Sequence, residues 1–140
     1  MKVLITGSQG YIARNLSKKL SKNKIICYGI GRGNWKTKAD FKKWGYSQNI
    51  GGTISKQLLK KLKNNKFDYI IHLAGGSSPI ASMIDSISNK KDFEKNVLST
   101  GLMLEYARSK NNKAKFILMS TIAVTGNNKS NKIKEDFKIN

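Results

Sequence analysis

The opening stretch Lys2-Val3-Leu4-Ile5-Thr6-Gly7-Ser8-Gln9-Gly10-Tyr11-Ile12-Ala13 constrains this chain more than any other part of it. Val3, Leu4 and Ile5 form a short apolar run that meets Thr6-Gly7, and Gly10 follows three residues later. Ile12, Leu16 and Leu20 then recur at every fourth position, the spacing of a helix's buried stripe. A strand that turns through glycines into a helix gathers free backbone N–H groups at the positive end of the helix dipole, which suits a phosphate or pyrophosphate. In that reading Gly7 permits the tight turn, Gly10 lets the backbone approach a ligand, and Ala13 is the small residue needed where helix packs on strand. The same pattern also fits a strand–helix turn that binds nothing, so the rest of the chain has to decide.

The rest alternates strand and helix. Strands are expected at about 2–6, 25–28, 67–74 and 116–119, and helices at about 10–22, 54–65 and 91–110. Residues 35–52 are ambiguous, reading as a short helix near Phe41 to Trp44 and a brief strand near Tyr46 to Ile50. Gly29-Ile30-Gly31-Arg32-Gly33-Asn34 reads as a loop, and Phe93, Val97, Gly101 and Leu104 read as the inward stripe of the long helix. From Asn127 onward the chain is polar and lysine-rich, and an irregular tail is expected. Such alternation implies right-handed crossovers and a mostly parallel sheet covered on both faces, an α/β domain spanning 1–140. Ligands of such sheets bind beyond the carboxyl ends of the strands. One shared rim is therefore expected for residues 7–10, 29–33, 74–78 and Ser120-Thr121, four glycine or hydroxyl clusters at four strand ends.

Composition narrows the classes. The net charge of +19 suggests a nucleic-acid surface, yet lysine supplies 24 of the 27 basic residues and arginine stands only at 14, 32 and 108. Phosphate- and base-reading surfaces favour the arginine fork and exposed aromatics, so a solvated lysine coat is the reading, with no specific nucleic acid as partner. No apolar run approaches the ~20 residues of a membrane span. Thr6-Gly7-Ser8-Gln9 breaks the first apolar run too early for a secretory leader, and a cytoplasmic location is expected. Cys27, the single cysteine, permits no internal disulfide and reads as a buried structural thiol. No Cys/His/Asp cluster has the spacing of metal ligands, and no metal is expected.

Taken together, these segments resemble the extended short-chain dehydrogenase/reductases, the NAD-dependent epimerase/dehydratase family of sugar-nucleotide enzymes. Thr6-Gly7-Ser8-Gln9-Gly10-Tyr11-Ile12-Ala13 resembles the family's cofactor turn. Asp68-Tyr69-Ile70-Ile71-His72-Leu73-Ala74-Gly75 resembles its fourth strand, and Asn96-Val97 with Thr100 and Leu104-Glu105 the helix that follows. Ser120-Thr121-Ile122-Ala123-Val124-Thr125-Gly126 resembles the strand end that carries a catalytic Ser or Thr. The resemblance implies a Rossmann-like three-layer sandwich that binds NAD or NADP. It also implies that the chain is the N-terminal part of such an enzyme, truncated after about five strands. The family's Tyr-x-x-x-Lys follows the Ser/Thr segment, and no such motif lies between Thr121 and Asn140. Ala13 stands for the usual third glycine, Thr125 for a tyrosine, and a neutral residue around Thr53 for an acidic one.

Carried over residue by residue, the resemblance makes Gly7, Gly10, Tyr11, Ile12, Leu73, Ala74, Gly75 and Gly76 cofactor-binding positions. Thr121, with Ser120 beside it, would orient the substrate's reacting oxygen; a strand-end hydroxyl that caps backbone groups is the alternative. Asn96 would shape the cofactor floor, or else be a solvated helix asparagine. No acidic residue precedes Asp40, so the usual carboxylate for a ribose 2′-hydroxyl is missing. Arg32 sits where a 2′-phosphate could be held, which leans towards NADP; an exposed loop arginine is the other reading. His72 reads as a core histidine hydrogen-bonded locally. Tyr106-Ala107-Arg108-Ser109-Lys110 spells Tyr-x-x-x-Lys but precedes the Ser/Thr strand, and is read as a packing helix. Trp35, Phe41 and Trp44 cover the sheet edge or an adenine rim, or else pack into the core. The expected partners are a nucleotide cofactor and, for the whole enzyme, a sugar nucleotide. Other classes remain, a non-catalytic cofactor-sensing module and a basic nucleic-acid binder. An exposed fifth strand would favour homodimers or aggregation.

Overall fold

The structure, a computed structural model, describes residues 1–33, 35–76, 86–121 and 124. The first strand sets the architecture. In β1 (Lys2–Thr6) Val3 and Ile5 point to one face and Leu4 to the other, and none is more than 2% exposed. A strand buried on both faces belongs inside a sheet with helices on each side. β1 is accordingly the centre of five parallel strands ordered β3-β2-β1-β4-β5. The others are β2 (Ile26–Gly31), β3 (Tyr46–Gly51), β4 (Tyr69–His72) and β5 (Lys115–Leu118). Thr6 pairs with Ile30 on one side and His72 on the other, so three strands finish nearly level at one end.

The helices divide between the faces. Residues of α1 (Tyr11–Lys22) and α2 (Lys38–Lys43) pack with Val3, Ile5, Cys27 and Tyr46. Residues of α3 (Lys56–Lys60) and of the long last helix pack with Leu4, Ile30 and Ile70. That last helix has three parts: α4 (Ser86–Phe93), a π-helical turn (Glu94–Leu98) and α5 (Ser99–Lys110). The expected three-layer α/β sandwich is present, and its described strands are all parallel. Among the described residues no helix is long and apolar enough to cross a membrane.

Three local expectations are corrected. β2 continues through Gly31, so residues 29–31 are strand and not loop; Gly29 pairs with Ile5 and Gly31 with Gly51, and two flanking ladders outweigh glycine's poor strand propensity. Ile12 is 54% exposed, while Ala13 and Ser17 are buried with Leu16 and Leu20 partly so. Small residues at 13 and 17 bring α1 close to the sheet and turn Ile12 outward. Phe93, Val97, Gly101 and Leu104 also face outward, and Ser99, Met103, Tyr106 and Ala107 are the buried face of α5. This helix is apolar on two sides, and its π turn shifts the phase between Phe93 and Ser99, so a four-residue spacing could not choose the inner side.

Other readings hold. The helix expected at about 54–65 is present but shorter, Lys56–Lys60, and Leu58 and Leu62 in and beyond it are buried. Cys27 is fully buried, and burial pushes its thiol pKa up to about 11. Trp35, Phe41 and Trp44 pack against the α1 face, with the Arg14 guanidinium 4.8 Å from the Trp44 ring centre. β5 is a sheet edge among the described residues, and Ile117, Leu118 and Met119 beside it are about half exposed. The tail from Asn127 lies outside the described residues.

Candidate functional site

The elbow after β1 is built from constraints that only its own residues satisfy. Gly7 has φ +68°, and a Cβ there would lie 2.9 Å from the Leu73 carbonyl oxygen, so both conformation and space demand glycine. The Gly10 amide donates to the Gly7 carbonyl at 2.7 Å, and the Ser8 amide ties the turn to the Ile30 carbonyl at 3.0 Å. From behind, the buried Tyr46 hydroxyl lies 3.1 Å from the carbonyl oxygens of both Ser8 and Ala13 and donates its single proton between them. Burial pushes the Tyr46 pKa up to about 12, so it stays a donor at neutral pH.

α1 starts without a side-chain cap. Thr37 caps α2 and Ser55 caps α3 by accepting backbone N–H groups, but the N-cap of α1 is Gly10, which has nothing to offer. The first-turn amides of Tyr11, Ile12 and Ala13 have no partner within a helix, and no acidic side chain neutralises this dipole end. Such an end is ready for an anion.

The exit of β4 forms the facing wall. The buried Thr6 hydroxyl accepts from the amides of Leu73 at 3.2 Å and Ala74 at 3.0 Å, and lies 2.8 Å from His72 Nδ1. An oxygen already accepting two N–H groups directs its own proton to Nδ1, which fixes neutral His72 with its proton on Nε2. Burial lowers the His72 pKa, consistent with that state. Nε2 is buried without a partner among the described residues. His72 is thus the core histidine expected. Further along, Asn96 in the π turn clasps Gly76 in both directions: the Gly76 amide donates to Oδ1 at 3.0 Å, and Nδ2 donates to the Gly76 carbonyl at 2.9 Å.

Between these walls lies a cleft of about 480 Å³. Gly7, Gln9 and Gly10 line it from the elbow, Gly31, Arg32 and Gly33 from the end of β2, and Thr53 and Ile54 from beyond β3. Leu73, Ala74 and Gly75 line it from beyond β4, and Lys91, Glu94, Lys95 and Ser99 from the long helix. Six of the expected cofactor positions, Gly7, Gly10, Arg32, Leu73, Ala74 and Gly75, therefore share one cavity. Gly76 and Asn96 hold each other at its margin. The Tyr11 side chain is 78% exposed and, like that of Ile12, stands outside the lining, which leaves these two residues their amides. Ser120 and Thr121 are exposed at the same end of the sheet, after the Met119 amide donates to the His72 carbonyl at 3.1 Å, and they do not line the cleft. Positions 77–78, expected on this rim, lie outside the described residues.

Tyr106 is buried in the core. The nearby Asn111 side chain accepts from the Phe67 amide at 2.8 Å, at the amino end of β4 and away from the cleft. The Tyr-x-x-x-Lys spelling of residues 106–110 is thus a packing helix, as read. Sequence reasoning missed Gln9, Tyr46, Lys91, Lys95 and Ser99. The last three recur every fourth residue of the long helix, a spacing distinct from the stripe expected at Phe93, Val97, Gly101 and Leu104.

A five-strand parallel sheet in this order, with a glycine elbow after its first strand, defines a Rossmann-like α/β protein. The profile of the NAD dependent epimerase/dehydratase family matches residues 3–140, and the chain belongs to that family. Among solved structures it is similar to a UDP-glucose 4-epimerase from Bifidobacterium longum in complex with NAD+ and UDP. That match has 21% identity and a TM-score of 0.82, covering 100% of this chain and 43% of that one. It is also similar to the UDP-Glc/GlcNAc 4-epimerase of Campylobacter jejuni, at 22% identity and TM-score 0.80, covering 99% and 43%. A short-chain dehydrogenase/reductase superfamily protein from Agrobacterium tumefaciens with bound NAD matches at 18% identity and TM-score 0.77, covering 99% and 39%. The chain spans less than half the length of these three structures. No curated protein matches it.

Proposed function

We propose that this chain is the nicotinamide-dinucleotide-binding portion of a sugar-nucleotide epimerase or dehydratase type of oxidoreductase. The observation that carries the reading is the uncapped start of α1 behind a left-handed Gly7 that is pressed against the Leu73–Ala74 backbone. The amides of the first turn of α1 would hold the pyrophosphate. Arg32, Thr53 and the β2 and β3 ends would take the adenosine side, and Leu73 to Gly76, fixed by Thr6 and Asn96, would floor the nicotinamide side. The bound dinucleotide supplies hydride exchange with a substrate carbon. Ser120 and Thr121 would orient the reacting oxygen of a sugar nucleotide from the end of β5. Within these 140 residues no Tyr-x-x-x-Lys follows Thr121. The chain tested by itself is therefore expected to bind cofactor without turning over UDP- or GDP-sugars.

Calorimetric or fluorescence titration with NAD(H) and NADP(H) tests this reading, paired with sugar-nucleotide turnover assays. Gly7→Ala forces a Cβ into the β4 exit and is expected to abolish measurable binding. Absence of dinucleotide binding by the folded wild-type chain overturns the assignment, and turnover by the chain alone overturns its catalytic half.

A further inference from the structure

Independently of the dinucleotide reading, we propose that the end of the sheet opposite the cleft is a lysine face that docks peripherally on an anionic phospholipid bilayer. The described strands are all parallel, so the turns that enter them gather at their amino ends. The Asp68 amide donates to the Lys2 carbonyl at 2.9 Å, and the Lys115 amide to the Asp68 carbonyl at 2.9 Å. The Lys66 ammonium donates to the Lys110 carbonyl at 2.6 Å and fastens the approach to β4 to the end of α5. Lys24, Lys63, Lys66, Lys110, Lys113 and Lys115 are all exposed at this end. Among the described residues of these turns the carboxylate is Asp68, which accepts the Lys2 backbone amide at 2.7 Å. Arg108, in the last turn of α5, is paired with Glu105 at 2.8 Å.

Helix dipoles explain part of this charge, since Lys22 and Lys110 close α1 and α5, where cations are favoured. They do not explain the backbone. Among the described residues the non-glycine positions with positive φ are Lys24 at +59° and Lys63 at +51°. Glycine or asparagine is the ordinary occupant of such a turn, and Asn23 and Asn64 stand directly beside them. Two lysines are thus held at this end against backbone preference, which a passive coat has no reason to do.

The chemistry of the face fits lipid headgroups better than nucleic acid. Its free cations are lysines, hydrated point charges that need no bidentate geometry, whereas base and phosphate readers favour the arginine fork and stacking aromatics. Ile26 and Met1, 42% and 57% exposed and joined by the Ile26 amide on the Met1 carbonyl, place apolar atoms among the lysines, as contact with a headgroup boundary requires. The cleft lies a strand's length away, about 16 Å, and stays open to water.

The test is co-sedimentation of the full chain with phosphatidylcholine–phosphatidylserine vesicles and with phosphatidylcholine vesicles, at physiological salt. Binding to the anionic vesicles alone is expected, weakened about fivefold for each lysine removed. Lys24→Gly with Lys63→Gly should weaken it more than tenfold while raising the melting temperature. Lys63→Glu, Lys113→Glu and Lys115→Glu together should abolish it, with dinucleotide titration unchanged. Lys36→Glu, Lys38→Glu and Lys56→Glu together, exposed elsewhere, control for the overall +19 and should cost far less. Absence of binding to anionic vesicles, or equal binding to phosphatidylcholine, overturns the proposal. Equal losses in the two triple variants assign the binding to bulk charge and overturn the face. Unchanged vesicle binding or a lower melting temperature in the glycine pair overturns the argument from strain. Tighter binding to duplex DNA than to the vesicles at the same salt overturns the choice of partner.

Discussion

Thr6→Val isolates the hydrogen bonds that shape the β4 exit. Valine keeps the size and branching of threonine, so no cavity opens, and what is lost is one oxygen. That oxygen serves three groups: the amides of Leu73 and Ala74 and His72 Nδ1. An orphaned buried group costs about 1–3 kcal/mol. The two amides border the cleft, where water can partly replace the hydroxyl, so each belongs at the low end of that range. His72 is 1% exposed and has no such relief. The sum is about 3–5 kcal/mol of folding stability. Thr6→Ser keeps the oxygen and removes a methyl, at about 1 kcal/mol. Urea denaturation of the three proteins measures the differences, provided the slopes match. Because His72 is the only histidine, its nitrogen resonances read out the same bond. The wild type should show Nδ1 as acceptor and Nε2 protonated, with Nδ1 shifted in Thr6→Val. A valine variant within about 0.5 kcal/mol of wild type, or a serine variant as damaged as the valine one, would refute the reasoning.

Further outcomes follow from other buried groups. His72 has a lowered pKa, so from about pH 6.5 down to that lowered pKa the unfolded chain takes up a proton that the folded chain refuses. Stability should fall with decreasing pH over that window, by at most about 1.4 kcal/mol per unit, and stay flat above pH 7.5 in denaturation at stepped pH. Tyr46→Phe removes the brace behind the elbow and should cost about 1 kcal/mol of stability, with weaker dinucleotide binding in the same titration. Cys27 should resist a thiol reagent in the native protein at pH 8 and react fully in denaturant, since burial holds its thiol near 11. Ile117, Leu118 and Met119 along the β5 edge should drive concentration-dependent association, seen by sedimentation and reduced by Leu118→Lys.

The fold was legible because strand identity and burial coincide in β1 and β4: apolar runs too short for helices, each ended by glycine, admit few arrangements. The glycine elbow was legible because Gly7, at φ +68° with its Cβ space taken by the Leu73 carbonyl, answers to backbone geometry that other residues rarely meet. Helix orientation was not. Ala13 and Ser17 outcompete Ile12 for the sheet because closeness there matters more than apolar area, and hydrophobic spacing cannot register closeness. In the long helix two apolar stripes compete, and only the π turn decides between them. Tyr46 was read as part of a brief strand and nothing more, because its partners, the carbonyls of Ser8 and Ala13, lie more than 30 positions away.

That phenol has an implication for how the molecule responds to occupancy. It grows from β3, the outermost ribbon on its side, yet it supports the bend two ribbons inward. Fraying at the margin and slackening of the anion cradle are therefore one equilibrium viewed from two places. Whatever fills the cradle must also quiet the margin, by the same free energy with which a frayed margin weakens the grip.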